Sequence, residues 1–430
     1  MQRIVVIGGG WSGVAAAVRV AAAGLEVILC EKTDLLLGLG NVGGIMRNNG
    51  RFTAAEENIA LGADELFEIT DRLATHRDVD FPGHEHAAFY DVALVEPEVR
   101  RLLRRLGIEL RFMTRITDVR KGGEKRLAAV ITADGEELEA DAFVETTGSS
   151  GPMGNCLRYG NGCSMCVLRC PAFGPRVSIT ERAGLTDIMA CKADGTRGAF
   201  SGSCKLNKRT LSRKLRRKLE KDGVAVVPLP ERLINRDKLA RKVCRQYALD
   251  PYAENLILID TGYAKLMTSY FNLEDLRQVE GFENARFIDP YAGGKGNSVR
   301  YMAVGLRDDY MRARGLENLF LGGEKSGFFI GHTEAITTGS LAGYNAAAQV
   351  LGGALLRLPE TLATGDLLAF ANAALEEENA LDRRFTFAGG EYFARMKERG
   401  LYLTDPRLIR KRVEAEGLCD VYKRPPDVIK

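Results

Sequence analysis

Residues 4–13 read Ile-Val-Val-Ile-Gly-Gly-Gly-Trp-Ser-Gly, and this stretch decides the fold of the chain. The β-branched run at residues 4–7 is typical of a buried strand in a parallel sheet. Gly8, Gly10 and Gly13 follow the pattern G-x-G-x-x-G, and the Ala-rich segment 14–23 that comes next indicates a helix. A strand, a glycine turn and a helix in this order predict a dinucleotide-binding turn, in which the backbone approaches a pyrophosphate at the helix N-terminus.

A second strand, at residues 27–30, ends at Glu31, which stands 18 residues after Gly13. An acidic residue near this spacing binds a ribose 2′-hydroxyl in dinucleotide-binding folds. A glycine-rich turn without a ligand would not explain this acid. At this end of the chain the predicted cofactor-binding residues are Gly8, Gly10, Trp11, Ser12, Gly13, Glu31 and Lys32.

The nature of the dinucleotide is indicated by the far end of the chain. Residues 318–324 read as a strand that breaks into a glycine turn, and residues 331–343 begin a helix rich in small side chains. This arrangement resembles FAD-containing enzymes, whose last strand touches the ribityl chain and whose following helix points its N-terminus at the flavin pyrimidine. His332, in this helix, is the one His candidate for proton transfer. The further predicted cofactor-binding residues here are Gly322, Gly323, Glu324, Thr333, Glu334 and Ala335.

Residues 279–285, 315–323 and 341–347 resemble the glucose-inhibited-division-A family of flavoproteins and the related folate-dependent tRNA uracil-5-methyltransferases. The resemblance extends to a glycine segment near the flavin and to a strand end, which adds the predicted cofactor-binding residues Asn41, Gly43, Gly44, Thr147 and Gly148. It implies an FAD fold. Residues 35–55, where the methyltransferases carry a Cys that faces the flavin, contain no Cys in this chain. This departure argues against the uridine-methylating mechanism.

Four of the nine cysteines, Cys156, Cys163, Cys166 and Cys170, form C-x6-C-x2-C-x3-C followed by proline. The last part matches a bacterial ferredoxin run, although the first gap is longer, so we predict a [4Fe–4S] cluster with these four ligands. Zinc is the alternative, weakened because only one C-x2-C pair is present. Redox dithiols or ordinary thiols also remain open, and structural disulfides are disfavoured in a reducing cytosol.

The segment Lys205–Arg245 is strongly basic, with fifteen Lys or Arg and four Asp or Glu, whereas the whole chain carries a formal charge of only +3. Leu211, Leu215 and Leu219 recur every four residues, which predicts a helix with one apolar stripe and a basic remainder. Such a face attracts polyanions, so tRNA or an acidic ferredoxin is the expected partner, against the alternative of a solvated helix. The absence of aromatic residues within the segment counts against base stacking.

Composition excludes disordered and collagen-like chains, and no uncharged apolar run reaches about 18 residues, so we expect a cytoplasmic protein without membrane spans. The predicted class is α/β: a Rossmann-like FAD-binding domain (1–150 and 279–355), an inserted domain (151–278), for which residues 205–278 are expected to be helical, and a helical C-terminal segment (356–430). We expect an FAD-dependent oxidoreductase that exchanges electrons between the [4Fe–4S] cluster and FAD to reduce or oxidise a substrate. The alternatives are an RNA-modifying flavoprotein and a non-catalytic electron-carrier subunit, and a homo-oligomer remains open.

Overall fold

The computed structural model of the protein describes residues 2–149, 173–192, 195–197, 199–200, 203–240, 242, 245–268, 271–288, 299–377 and 380–426. Its strands are β1 Arg3–Ile7, β2 Glu26–Cys30, β3 Ile45–Met46, β4 Ala74–Phe81, β5 His84–Tyr90, β6 Glu109–Arg111, β7 Ile116–Gly123, β8 Arg126–Thr132, β9 Glu137–Glu139, β10 Ala142–Glu145, β11 Asp187–Met189, β12 Ala199–Phe200, β13 Cys204–Leu206, β14 Val224–Pro228, β15 Asn255–Asp260, β16 Ala264–Leu266, β17 Val299–Arg300, β18 Ala303–Gly305 and β19 Leu319–Leu321. Its helices are α1 Trp11–Ala22, α2 Gly40–Gly43, α3 Gly50–Leu61, α4 Glu65–Arg72, α5 Val95–Arg105, α6 Ile179–Arg182, α7 Arg213–Asp222, α8 Asp237–Ala240, α9 Pro251–Glu254, α10 Leu273–Leu276, α11 His332–Leu351, α12 Ala363–Ala374, α13 Gly390–Glu398 and α14 Pro406–Ala415.

The centre of the molecule is a five-stranded parallel sheet in the order β19-β10-β1-β2-β6. Val5 and Val6 of β1 are fully buried, as expected for a strand that is covered on both faces. α1 and α11 pack closely together because Gly339 and Gly343 of α11 meet the backbone of Ser12 and Ala16. This confirms the predicted Rossmann-like α/β fold.

Asp134-Gly135 between the strand-like runs 127–132 and 136–144 predicts a hairpin, and this hairpin forms only in part. β8 and β9 pair antiparallel, with Ala129 opposite Glu139. The second arm then breaks, because Ala142–Glu145 leaves the hairpin and joins the central sheet beside β1. Burial explains the break: Glu137 and Glu139 are exposed, whereas every residue of β10 is buried and needs cover on both faces.

The expectation of a helical segment at residues 205–278 is wrong. The described part of this region contains a four-stranded antiparallel sheet in the order β13-β16-β15-β14. β15 is buried from Leu256 to Asp260, and such short apolar runs suit strands better than helices. The basic helix is limited to α7, and Leu215 and Leu219 pack it into a separate hydrophobic cluster with this sheet.

The C-terminal segment is helical, as predicted, and α12, α13 and α14 cover the α3 side of the central domain. Glu57 of α3 is fully buried and accepts hydrogen bonds from the backbone amides of Ala363 and Thr364 at the start of α12. A buried carboxylate that caps a helix ties the two segments together. Within the described ranges, no helix has the length and apolar character needed to cross a membrane.

Candidate cofactor-binding cleft

A cleft opens above the carboxyl ends of β1 and β2, where the glycine turn leads into α1. Gly8 has a φ of +104°, and a Cβ added at Gly13 would lie 1.8 Å from the carbonyl oxygen of Gly8, so both positions require glycine. Gly10 differs, because a Cβ there would meet no atom within 4 Å. Gly10 therefore faces open space in the cleft, where the backbone can approach a ligand.

Glu31 forms the wall of the cleft at the end of β2 and is only 7% exposed. Its carboxylate accepts hydrogen bonds from the backbone amides of Gly9, at 2.8 Å, and Thr33, at 2.9 Å. The acid thus fixes the glycine turn while it borders the cleft. Charge-assisted bonds of this kind hold a carboxylate in one orientation.

Ser12, in the first turn of α1, provides a buried polar group at the bottom of the cleft. Its Oγ accepts or donates no hydrogen bond within the described ranges, and it lies under Gly322 and Gly323 of the last sheet strand's turn. A buried hydroxyl without a partner is costly, and a ligand at the helix N-terminus would satisfy it. A phosphate group suits both the hydroxyl and the helix dipole.

The opposite wall is the N-terminus of α11, where Arg51 lines the cleft and forms a buried ion pair with Glu334. Arg51 Nε lies 3.1 Å from both carboxylate oxygens of Glu334, and the side chains of the two residues are 4% and 0% exposed. Gly331 precedes the helix with a φ of +138°, and a Cβ there would lie 2.0 Å from Arg51 Nη2 and from Glu334 Oε2. Close packing at Gly331 therefore sets the direction from which α11 meets the cleft.

The predicted cofactor-binding residues fall into two groups by position. Those that line the cleft are Gly8, Gly10, Trp11, Ser12, Glu31, Lys32, Gly43, Thr147, Gly148, Gly323, Glu324 and Ala335. Those that support it from behind are Gly13, Asn41, Gly44, Gly322, Thr333 and Glu334. On α11 this division follows helix geometry, because Thr333 and Glu334 point into the core while His332 and Ala335 share the cleft face.

His332, the predicted proton-transfer residue, lines the cleft inside an aromatic cluster. Its Nδ1 lies 3.2 Å from the hydroxyl oxygen of Tyr90, and its ring centroid lies 5.7 Å from that of Trp11. A Cβ at Gly43 would lie 1.7 Å from His332 Cε1, so α2 packs directly against the imidazole. Burial raises the pKa of Tyr90 above its usual range, which keeps this phenol protonated.

Comparison with known proteins shows which protein family has this architecture. The profile of the family described as "Glucose inhibited division protein A" matches residues 3–248 and 255–354, which is more than half of the chain. The chain belongs to this family of flavoproteins. A curated relative, the methylenetetrahydrofolate–tRNA-(uracil-5-)-methyltransferase TrmFO of Dinoroseobacter shibae, is 38% identical over 107 residues, which cover 25% of this chain and only 23% of the relative.

Two solved structures of Aquifex aeolicus GidA share the fold of this chain. The form II crystal structure superposes with a TM-score of 0.66 at 16% sequence identity, and the alignment covers 96% of this chain and 76% of the GidA chain. The form I structure gives 0.61 at 15% identity, with 96% and 78% covered. At this identity the likeness concerns the fold alone.

FAD, the cofactor of the family, fits the residues that this chain presents. The open space at Gly10 and the unpartnered Ser12 hydroxyl suit a pyrophosphate, and Glu31 stands where a ribose would lie. The N-terminus of α11 lies on the other side, where it can stabilise negative charge on a reduced flavin ring. These features lie in one continuous cleft.

The inserted region contributes cleft residues that the sequence analysis missed. Lys265 donates hydrogen bonds to the carbonyl oxygens of Val42, at 2.8 Å, and Gly43, and Lys205 Nζ donates to Asn41 at 2.9 Å. Both lysines thus hold α2, the segment that packs against His332. The missed cleft-lining residues of this region are Arg176, Val177, Ser203, Lys242, Gln246, Tyr247, Lys265 and Met267. No motif in the sequence marks them.

The predicted cysteine ligands of this family member, Cys156, Cys163, Cys166 and Cys170, lie outside the described residues. Across the parts of the chain that are described, no group of three or more His, Cys, Asp or Glu could hold a metal ion. Cys30 lines the cleft, but burial raises the pKa of its thiol to about 12. This thiol is therefore protonated and unreactive at neutral pH.

Proposed function

We propose that this chain is an FAD-dependent enzyme that modifies a uridine of tRNA, with a folate one-carbon unit as the carbon donor. The observation that carries the proposal is a cleft of flavin-binding construction whose wall is completed by two lysines of the inserted region, Lys242 and Lys265. Cationic walls suit a polyanionic substrate. The family membership and the similarity to a tRNA uracil-5-methyltransferase support the same reaction.

The chain's own residues have separate tasks in this proposal. Gly10, Ser12 and Glu31 would hold the dinucleotide, and the N-terminus of α11 would stabilise charge on the ring. When bound and reduced, FAD supplies the two electrons that convert a folate methylene into a methyl group, which replaces the hydrogen on uracil C5. His332 is the group of the chain that would hold or move the proton released there, since it lines the cleft and is fixed by Tyr90.

Activation of the uracil by a cysteine is not part of this proposal. Cys30, the cysteine among the described cleft residues, carries a thiol with a pKa of about 12, and burial raises the pKa of the Cys204 thiol to about 12 as well. Attack on a base requires a thiolate. The base would instead be activated by charge stabilisation from the cationic side chains that line the cleft.

The surface that would bind tRNA is the basic face of α7. The exposed cations of this helix are Arg213, Lys214, Arg217, Lys218 and Lys221. Leu215 and Leu219 anchor the opposite face in the inserted sheet, so the cations share one side. A row of exposed cations on a fixed helix suits a phosphate backbone and needs no base stacking.

The test is a single-turnover reaction under anaerobic conditions. The FAD-loaded protein is reduced, mixed with unmodified tRNA and 5,10-methylenetetrahydrofolate carrying a labelled methylene, and the tRNA nucleosides are separated by mass spectrometry. The proposal expects label in a uridine derivative, and none when folate is omitted. Label confined to small molecules, with unchanged tRNA, would exclude the proposal.

A second function, electron transfer between a [4Fe–4S] cluster and FAD, is favoured by one observation. Ser149 and Arg176 both line the cleft, and the four predicted ligands lie in the chain between them. Both described ends of the segment that carries the cysteines therefore border the cleft.

Anaerobic purification decides this second proposal. The protein is assayed for iron, acid-labile sulfide and zinc, and the flavin content is measured in the same sample. About four irons and four sulfides per chain, lost in Cys166→Ala while FAD stays bound, are expected. Zinc without sulfide, or no metal, would contradict it without touching the tRNA proposal.

A further inference from the structure

The roof of the cleft contains one polar side chain whose buried oxygen lacks a partner. Gln246 is 4% exposed and lines the cleft, and its Oε1 accepts no hydrogen bond from any described residue. An unsatisfied buried carbonyl oxygen has a cost to the stability of the folded protein. The fold retains this cost at a position that borders a ligand site, which suggests that the ligand supplies the missing donor.

Gln246 is held rigidly by its surroundings. Its backbone carbonyl oxygen lies 3.0 Å from Nε2 of His84, and a Cβ added at Gly389 would lie 2.6 Å from Gln246 Cβ. Burial lowers the pKa of His84 to about 3, and Asn48 Nδ2 lies 2.9 Å from its Nδ1. The neutral imidazole therefore accepts at Nδ1 and donates from Nε2 to Gln246.

The neighbouring side chains define which donor would suit Gln246. Lys242 donates to the carbonyl oxygen of Met267 at 2.9 Å, and Met267 and Lys265 both line the cleft. Lys242 and Lys265 thus line the same cleft as the Gln246 acceptor. An N–H flanked by two carbonyl groups, as in a cyclic imide, offers a donor to Gln246 and oxygens that cations stabilise.

We infer that Gln246 Oε1 accepts a hydrogen bond from the N–H of a cyclic imide bound in the cleft. Two ligands of the proposed reaction carry this group: the isoalloxazine ring at its N3 and a uracil base at its N3. The inference rests on the proposed function only in this choice of ligands. Gln246 acts here as a recognition residue.

The test compares each imide with a form in which a methyl group replaces the N3 proton. The probes are FAD against 3-methyl-FAD, titrated into apoprotein, and uridine monophosphate against its 3-methyl form, titrated into the FAD-loaded protein. One neutral hydrogen bond is worth about three- to tenfold in Kd. We expect the wild type to show this loss, beyond any steric effect of the methyl group, for at least one of the two pairs.

Variants separate the hydrogen bond from steric effects. Gln246→Met keeps the size of the side chain but removes the acceptor. The ratio of the Kd for the methyl-imide to the Kd for the imide should therefore fall by about three- to tenfold. Gln246→Glu keeps an acceptor and should preserve it, which guards against a folding defect in the first variant. Gln349→Met is the matched control, because Gln349 also has a buried, unpartnered Oε1 but lies near the C-terminus of α11, outside the cleft.

The pair that responds identifies the ligand. A response in the FAD pair assigns Gln246 to the flavin, and a response in the uridine pair assigns it to the substrate. The inference would be overturned if, in both pairs, the wild type bound the imide and its methyl form with equal Kd. It would also be overturned if the ratio of these Kd values were the same in Gln246→Met as in the wild type. Unmodified tRNA in the turnover assay, with the methyl penalty present, would overturn the proposed function and leave this inference standing.

Discussion

The imidazole Nδ1 of His332 lies 3.2 Å from the hydroxyl oxygen of Tyr90, which itself lies 3.3 Å from the carbonyl oxygen of Gly40. Tyr90 is 1% exposed and does not line the cleft, whereas His332 does. The protonated phenol donates one hydrogen bond and accepts another, so it can link α2 to the imidazole. Tyr90 is therefore a positioning residue for His332.

Tyr90→Phe should lower kcat for tRNA modification about three- to tenfold and leave the Kd for FAD unchanged, because one neutral hydrogen bond behind His332 is lost. The pH profile of kcat should shift as well, since the lost bond touches the imidazole that is proposed to move the proton. Tyr422→Phe is the control, since it removes a buried hydroxyl that has no partner among the described residues and lies away from the cleft. An unchanged kcat and pH profile would remove Tyr90 from the proposed mechanism.

Gly10→Val should weaken FAD binding about ten- to a hundredfold, because its side chain occupies the space at which the pyrophosphate approaches the backbone. The φ of −69° at Gly10 is open to any residue and a Cβ meets no atom within 4 Å, so the apoprotein should lose only about 1 kcal/mol in its free energy of unfolding, because valine is a poorer N-cap residue for α1 than glycine. Equilibrium titration with FAD and urea unfolding measure the two quantities. Gly123→Val, at another open glycine remote from the cleft, should bind FAD normally.

His84 should make the protein less stable in mild acid. Burial, with a smaller contribution from the charge of Arg51, lowers its pKa to about 3 in the folded state, whereas the unfolded chain titrates near 6.5. Below pH 6.5 His84 binds a proton in the unfolded chain but stays neutral in the folded protein. The free energy of unfolding therefore falls as the pH drops towards 3.

The contribution of His84 to the slope of the free energy of unfolding against pH should approach about 1.4 kcal/mol per pH unit between pH 6 and 4. Urea unfolding at a series of pH values measures it, and the contribution of His84 is the difference in slope between the wild type and His84→Gln. Parallel curves for the two proteins would show that His84 titrates normally when folded.

Charge reversal on α7 should weaken tRNA binding. Lys214 and Arg217 are both exposed and project from the face opposite the buried leucines. The double variant Lys214→Glu, Arg217→Glu should bind tRNA more weakly and with a salt dependence lowered by about two ion equivalents, because two phosphate contacts are lost. Arg407→Glu with Arg410→Glu on α14 makes the same charge change elsewhere. Equal losses in the two double variants would indicate a general charge effect rather than a site on α7.

The sequence was informative where backbone geometry demands particular residues. Gly8 and Gly13 must be glycine for steric reasons, so the turn and the acid at Glu31 could be recognised without a structure. The inserted sheet was not predicted because its strands are short and because β14 lies within the strongly basic segment Lys205–Arg245, whose charge pattern favoured a helical interpretation.

Individual contacts in the cleft were less predictable because they depend on side-chain direction. Thr333 and Glu334 are next to His332 in the chain, yet they point into the core, and Glu334 serves an ion pair with Arg51 instead. Gln246 is brought to the cleft only by tertiary packing against His84 and Gly389. Neither feature has a signature in a single sequence.

The central claim, that a flavin in this cleft drives uridine modification, is tested most directly by counting electrons against product. Reduced FAD-loaded protein is mixed anaerobically with tRNA and the folate donor, and flavin oxidation is followed by its absorbance near 450 nm while the modified nucleoside is quantified. We predict one flavin oxidised per uridine modified, with both signals reduced in parallel in Gly10→Val. Uridine modification that proceeds without flavin oxidation, or flavin oxidation that leaves tRNA unchanged, would contradict the account.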